Sequence, residues 1–162
     1  KDYLIDAYKC LYELGVKLSQ VLWRKLLPKD MENADAALNS LAYELLVDEK
    51  YDLATMLLDF AVNVLPKHSA DNYKRIFVVN LAQAYKFSGN EGVCEKLPQK
   101  YDWSSCSDDF TICLSVLRDD FQAAAHLMRR IGKTGVVKQG AYADWPVFRK
   151  FRESPEFKAA YL

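Results

Sequence analysis

Large and small apolar residues recur at fixed spacing along the middle of this chain. Residues 41–66 read Leu41-Ala42-x2-Leu45-x8-Ala54-x3-Leu58-x2-Ala61-x4-Pro66, with Tyr51 three residues before Ala54. Two stretches of helical period, 31–47 and 51–65, carry this pattern, and only Asp48-Glu49-Lys50 separates them. A connection that short makes the two helices antiparallel neighbours. Small Ala42, Ala54 and Ala61 let them approach closely, while Leu41, Leu45 and Leu58 fill the ridges on either side. The pattern returns 40 residues later as Leu81-Ala82-x2-Tyr85-x3-Gly89-Asn90, with Cys94 in the place of Ala54. A third echo, Asp120-Phe121-x2-Ala124-x3-Met128-x2-Ile131, matches Lys50-Tyr51-x2-Ala54-x3-Leu58-x2-Ala61. Hairpins of this kind bury their apolar faces by stacking on one another.

These motifs resemble the tetratricopeptide signature, a large-small pair and a further large residue on one helix followed by small, large and small residues and a closing proline on the next. The resemblance covers residues 34–131, most fully in the first copy. It implies an all-α fold, a right-handed superhelix of antiparallel helix hairpins (a TPR-like α-solenoid). The sequence departs from the family twice. The offset of 40 exceeds the usual period of about 34, so residues 67–74 are expected to extend the hairpin or its loop. Pro98 stands where the first copy has Leu58, so the second outer helix is expected to be short. The expected organisation is one domain over 1–162, with an N-terminal helix in 1–30, repeat hairpins in 31–131 and a capping segment in 132–162.

Outside the repeats, residues 2–27 form an amphipathic helix ended by Pro28, with Gly15 as a close-packing point or mild kink. Ser69 or Asp71 can cap a helix that runs to Phe87. Short helices are predicted over 108–117 and 121–131, an irregular connection over 101–107, and no clear period from 135 to 145. Asp144 with Pro146, and Ser154 with Pro155, read as starts of two terminal helices. Nothing alternates with period two long enough to demand a sheet.

The formal charge is zero but unevenly spread: residues 1–33 sum to +1, 34–128 to −6 and 129–162 to +5. Only the C-terminal stretch resembles a nucleic-acid footprint. No apolar run reaches the ~20 residues that span a bilayer. The chain opens on Lys1 without a leader pattern, which suggests a piece of a longer polypeptide. Cys10, Cys94, Cys106 and Cys113 form no C-x-x-C pair, and no Asn-x-Ser/Thr site occurs, so free and mostly buried thiols in a reducing cytoplasm are expected.

Few motifs carry chemistry. Gly132-Lys133-Thr134 lacks the earlier glycine of a phosphate loop and reads as a helix stop. His68 and His126 lie at no ligand spacing, which predicts an exposed loop His68 and a partly packed His126. Asp108-Asp109 and Asp119-Asp120 are expected to cap helices. Tyr142, Trp145, Phe148, Phe151, Phe157 and Tyr161, interleaved with Arg149, Lys150 and Arg152, could stack bases but suit a terminal cap better. No enzymatic activity, cofactor or metal is expected.

In stacked hairpins the first helix of each pair lines the concave side. That geometry nominates Asn39, Tyr43, Val47, Asn80, Gln83, Lys86 and Phe87 as partner-binding residues. The family members that grip a peptide carboxylate use lysine, arginine and asparagine there, and only Asn80 matches. The expected function is a protein-interaction scaffold or an arm of a larger protein, with a protein or peptide as partner and neither nucleic acid nor membrane. The alternative is a helical nucleic-acid-binding module using the basic aromatic tail. The long first helix, through Tyr3, Tyr12 and Trp23, could dock on the parent chain, dock on a second copy, or cap the stack.

Overall fold

The computed structural model describes residues 2–132, 135, 137 and 139–161. Lys133 and Thr134 of the glycine-lysine-threonine triplet, and the side chains of Tyr3, Tyr12 and Tyr161, lie outside the described residues. Among those residues the chain is all-α and contains no strand. Its helices are α1 (Asp2–Arg24), α2 (Pro28–Val47), α3 (Tyr51–Asp59), α4 (Asp71–Phe87), α5 (Glu91–Lys96), α6 (Asp108–Leu117), α7 (Phe121–Ile131), α8 (Gln139–Asp144), α9 (Arg149–Glu153) and α10 (Pro155–Tyr161). Pro28 does more than stop α1: it occupies the first turn of α2, where its missing N–H leaves no bond unmade. The tail, expected to lack period, holds the six-residue α8.

Helices α2 and α3, α4 and α5, and α6 and α7 pack as three hairpins, and α4 also lies against α2 and α6. The three turns are built alike. Lys50, Asn90 and Asp120 donate their N–H groups to Leu45, Tyr85 and Ser115, closing the same six-residue loop past each helix end. At the centre of each turn one residue has positive φ: Glu49 (59°), Gly89 (84°) and Asp119 (58°). The central residues step by 40 and then 30, so the repeat persists in three dimensions although its period does not.

Alanine placement explains the close pairing. Ala42, Ala54, Ala61, Ala82 and Ala124 are buried, as are Leu58, Leu81 and Cys94. Leu41 differs from expectation: it is 51% exposed. Its counterpart Leu81 sits on α4, which has hairpins on both sides, whereas the only hairpin helices that α2 packs on to any extent are α3 and α4. Gly15 is no close-packing point, since a Cβ there meets nothing within 4 Å. Helix α1 touches the first hairpin at its own C-terminal end, where Gln20 and Trp23 donate to the carbonyls of Val64 and Lys67.

A buried clasp closes the first hairpin. Asp35 on α2 is fully buried and accepts from His68 Nδ1 at 2.8 Å and from the Ser69 N–H and hydroxyl at 2.7 Å. His68 Nε2 faces the Ala61 carbonyl at 3.0 Å. That carbonyl is free because Phe60–Val64 winds as a π-helical turn, in which Leu65 N–H reaches back to Phe60 and passes over Ala61. Expectation is therefore reversed for the histidines: the His68 side chain is buried and His126 is exposed. The acidic pairs differ as well. Asp120 caps α7 through the Ala123 N–H, but Asp119 pairs with Lys86, Asp108 with Arg130, and Asp109 accepts the Val137 N–H.

The C-terminal segment condenses around aromatic rings. Tyr142, Phe148, Phe151 and Phe157 are buried, with ring separations of 5.0 Å for Tyr142–Phe148 and 5.1 Å for Phe151–Phe157. Phe151 meets Phe121 of α7, against which α10 also packs. Ser154 caps α10 by accepting the Phe157 N–H.

Two buried acids make the fold sensitive to alkali. Burial pushes the Cys113 thiol up to about 12, and burial pushes the Tyr142 phenol up to about 12, with Asp109 adding to both. Raised acids stay protonated in the folded chain while the unfolded chain loses those protons, so stability falls as pH rises from about 9 towards 12. Denaturant midpoints measured from pH 8 to 11 are expected to fall, and less steeply for Tyr142→Phe. Near neutral pH, exposed Cys10 is expected to react readily with a thiol reagent, and Cys113 only on unfolding.

Candidate interaction groove

Helices α2 and α4 run side by side, and the short 3-10 turn Pro146–Phe148, entered from Trp145, lies against α2 and α6. The tail thus crosses the same helix faces that were nominated for a partner. On one side of it a cavity of about 260 Å³ is walled by Asn39, Tyr43, Glu44, Asn80, Gln83 and Trp145, with Pro146 and Val147 closing the edge. On the other side, between α4 and α6, a second cavity of about 230 Å³ is lined by Ile76, Val79, Phe110, Cys113, Trp145 and Val147. Asn80 borders both.

The structure divides the nominated residues. Asn39, Tyr43, Asn80 and Gln83 line the first cavity together. Val47 is exposed on α2 beyond the residues that line it. Phe87 is half-buried, with the Tyr51 ring at 5.7 Å and the Arg149 guanidinium 5.9 Å from its centre. Lys86 lies in the interior, donating to the Leu117 carbonyl at 2.8 Å and pairing with Asp119 at 2.6 Å. Asp119 holds the first helix of the second hairpin to the third turn in this way. Gln83 is also buried, at 1% exposure, so it meets a ligand only from the cavity wall.

Hydrogen bonding within the groove is incomplete. Asn80 Nδ2 donates to Asn39 Oδ1 at a long 3.4 Å, linking α4 to α2. Among the described residues Gln83 Nε2 has no partner, and neither has the Tyr142 hydroxyl. An unpaired buried amide is worth about 1–3 kcal/mol against the fold. Gln83→Met, similar in length and without the donor, is therefore expected to stabilise the chain by about 1 kcal/mol. Unfolding in urea measures it, and a loss of stability would mean that the amide is satisfied in solution.

Cys113 borders the second cavity beside Asp109, yet burial and the Asp109 charge hold its thiol protonated, the opposite of what activates a thiolate. Asp109 is itself engaged by the Val137 N–H.

Arg149 ties the tail to the first hairpin, and Arg152 closes the tail on itself. Arg149 bonds the Tyr51 hydroxyl and Glu49, both at 2.8 Å, and Arg152 bonds the carbonyls of Tyr142 and Trp145. Sequence reasoning missed Trp145 as a groove wall, because a stretch without period gives no placement. It also missed Asp35, although a signal existed. Met31, Asp35, Ala42 and Leu46 all fall on the buried stripe of α2, and a carboxylate in an apolar stripe needs a buried partner. Compared with protein-family models, curated proteins and solved structures, the chain matches none.

Proposed function

We propose that this chain is a protein-interaction module, a TPR-like right-handed stack of helix hairpins that holds an extended segment of a partner protein in the groove between α2, α4 and Trp145. The observation that carries the reading is the convergence of Asn39, Tyr43, Asn80 and Gln83 on one open cavity. Carboxamides can donate to and accept from a peptide main chain, and aromatic rings supply contact area at low entropic cost. No catalytic role is proposed, and neither a cofactor nor a membrane enters the reading. Burial of Tyr142, Phe148, Phe151 and Phe157, with Arg149 and Arg152 already paired, argues against base stacking along the tail. Cytoplasmic residence is proposed on the cysteine pattern alone. Among the described residues no helix is long and apolar enough to cross a membrane.

Selection of random dodecapeptides displayed on phage tests the proposal. Peptides enriched on the unmodified chain are expected to lose at least about 10-fold in affinity for an Asn39→Ala, Tyr43→Ala double variant, given contacts of ~1 kcal/mol each. Equal binding to both proteins, or no enrichment at all, would reject the groove.

A further inference from the structure

The groove has a charge character that restricts what can fill it. Its first cavity presents two aromatic side chains, Tyr43 and Trp145, one carboxylate, Glu44, and no cation among the lining residues. Two cations on the surrounding elements are already engaged, Lys86 by Leu117 and Asp119 and Arg149 by Glu49 and Tyr51. Glu44 is exposed and makes no ion pair among the described residues. Gln83, nine-tenths buried in the same wall, has an amide nitrogen without an acceptor.

Resting on the groove reading above, we propose that the ligand is an extended basic peptide. One lysine or arginine side chain enters between Tyr43 and Trp145, and its cation meets Glu44. Aromatic faces attract cations through their quadrupoles, and a carboxylate beside them adds Coulomb attraction. An acidic side chain or a terminal carboxylate would meet Glu44 with no lining cation to offset the repulsion. A purely apolar side chain would cover Glu44 without pairing it. The neutral carboxamides of Asn39 and Asn80 add no charge preference, so selection falls on the one basic side chain.

The test uses fluorescein-labelled Gly-Ser-Ala-X-Ala-Ser-Gly peptides, X being lysine, arginine, norleucine or glutamate, titrated by anisotropy with the whole chain up to millimolar protein. Lysine and arginine peptides are expected to bind about 10-fold more tightly than the norleucine peptide, and the glutamate peptide least. Glu44→Gln, at an exposed site, is expected to weaken lysine binding about 3-fold and leave norleucine binding unchanged. Tyr43→Ala is expected to weaken both, with circular dichroism melts establishing that each variant is folded. Equal or tighter binding of norleucine or glutamate peptides, or lysine affinity indifferent to Glu44→Gln, overturns the basic preference. If such peptides still lose affinity with Asn39→Ala and Tyr43→Ala, the groove reading survives that failure. Absence of binding by all four overturns both.

Discussion

Asp35→Ala is expected to lower the unfolding free energy by about 3–5 kcal/mol, the range for breaking a buried pair by removing one partner. A domain has only about 5–15 kcal/mol in total, so the variant is expected to be partly unfolded at physiological temperature. The effect follows from how many groups one carboxylate serves. Without it the His68 ring nitrogen, the Ser69 N–H and the Ser69 hydroxyl lose their acceptor while α2, the π-helical turn and the 66–70 connection still enclose them. Asp35→Asn should be milder, since its oxygen can still accept from Ser69 and its amide can donate to the His68 Nδ1 lone pair once the ring proton sits on Nε2, facing Ala61. Urea denaturation of the two variants checks both the size and the order. A loss below about 1 kcal/mol for alanine, or an asparagine variant weaker than it, would show that the first hairpin closes by apolar packing alone.

Phe148→Ala is the second large effect, expected at about 3–5 kcal/mol. Phe148 is fully buried and meets three other rings, at 5.0 Å from Tyr142, 6.2 Å from Trp145 and 6.4 Å from Phe151. Its removal leaves a cavity where the tail turns across the hairpins, and the neighbouring rings belong mostly to the tail itself. The loss should therefore be local. Amide exchange is expected to accelerate first over 139–161, while the buried amides of α4 keep their protection. Peptide binding in the groove should disappear with the tail's protection, because Trp145 and Val147 form its far wall. Uniform acceleration across α2, α4 and α6 would instead make the tail an integral part of one cooperative unit.

Helix positions and the close-packed pairing were legible because they depend on local spacing. An alanine one turn from a leucine has its packing role written in sequence, and Ala42, Ala54, Ala61 and Leu58 are all in the interior. The turn at Gly89 is legible for the same reason, since a positive φ of 84° suits glycine. Glu49 and Asp119 adopt the same conformation without that mark, at 59° and 58°, and two ion pairs, to Arg149 and Lys86, accompany it. Those partners lie too far along the chain for any local pattern to show.

Site residues divide along the same line. Periodicity puts Asn39 and Tyr43 on one face of α2 and Asn80 and Gln83 on one face of α4, and the side-by-side packing of the two helices brings both faces to one cavity. Lys86 follows the same periodicity, yet its long side chain bends to a carbonyl 31 residues away, and no helical wheel contains that acceptor. Local spacing in the sequence determined an all-α chain of alanine-paired hairpins. The tertiary structure alone decided that a fully buried aspartate clasps the first hairpin, that a lysine nominated for binding is internal, and that the tail forms one wall of the groove. The physical reason is range: helix period and close packing act over neighbouring turns, whereas each of these contacts joins groups that meet only after the chain has folded back on itself.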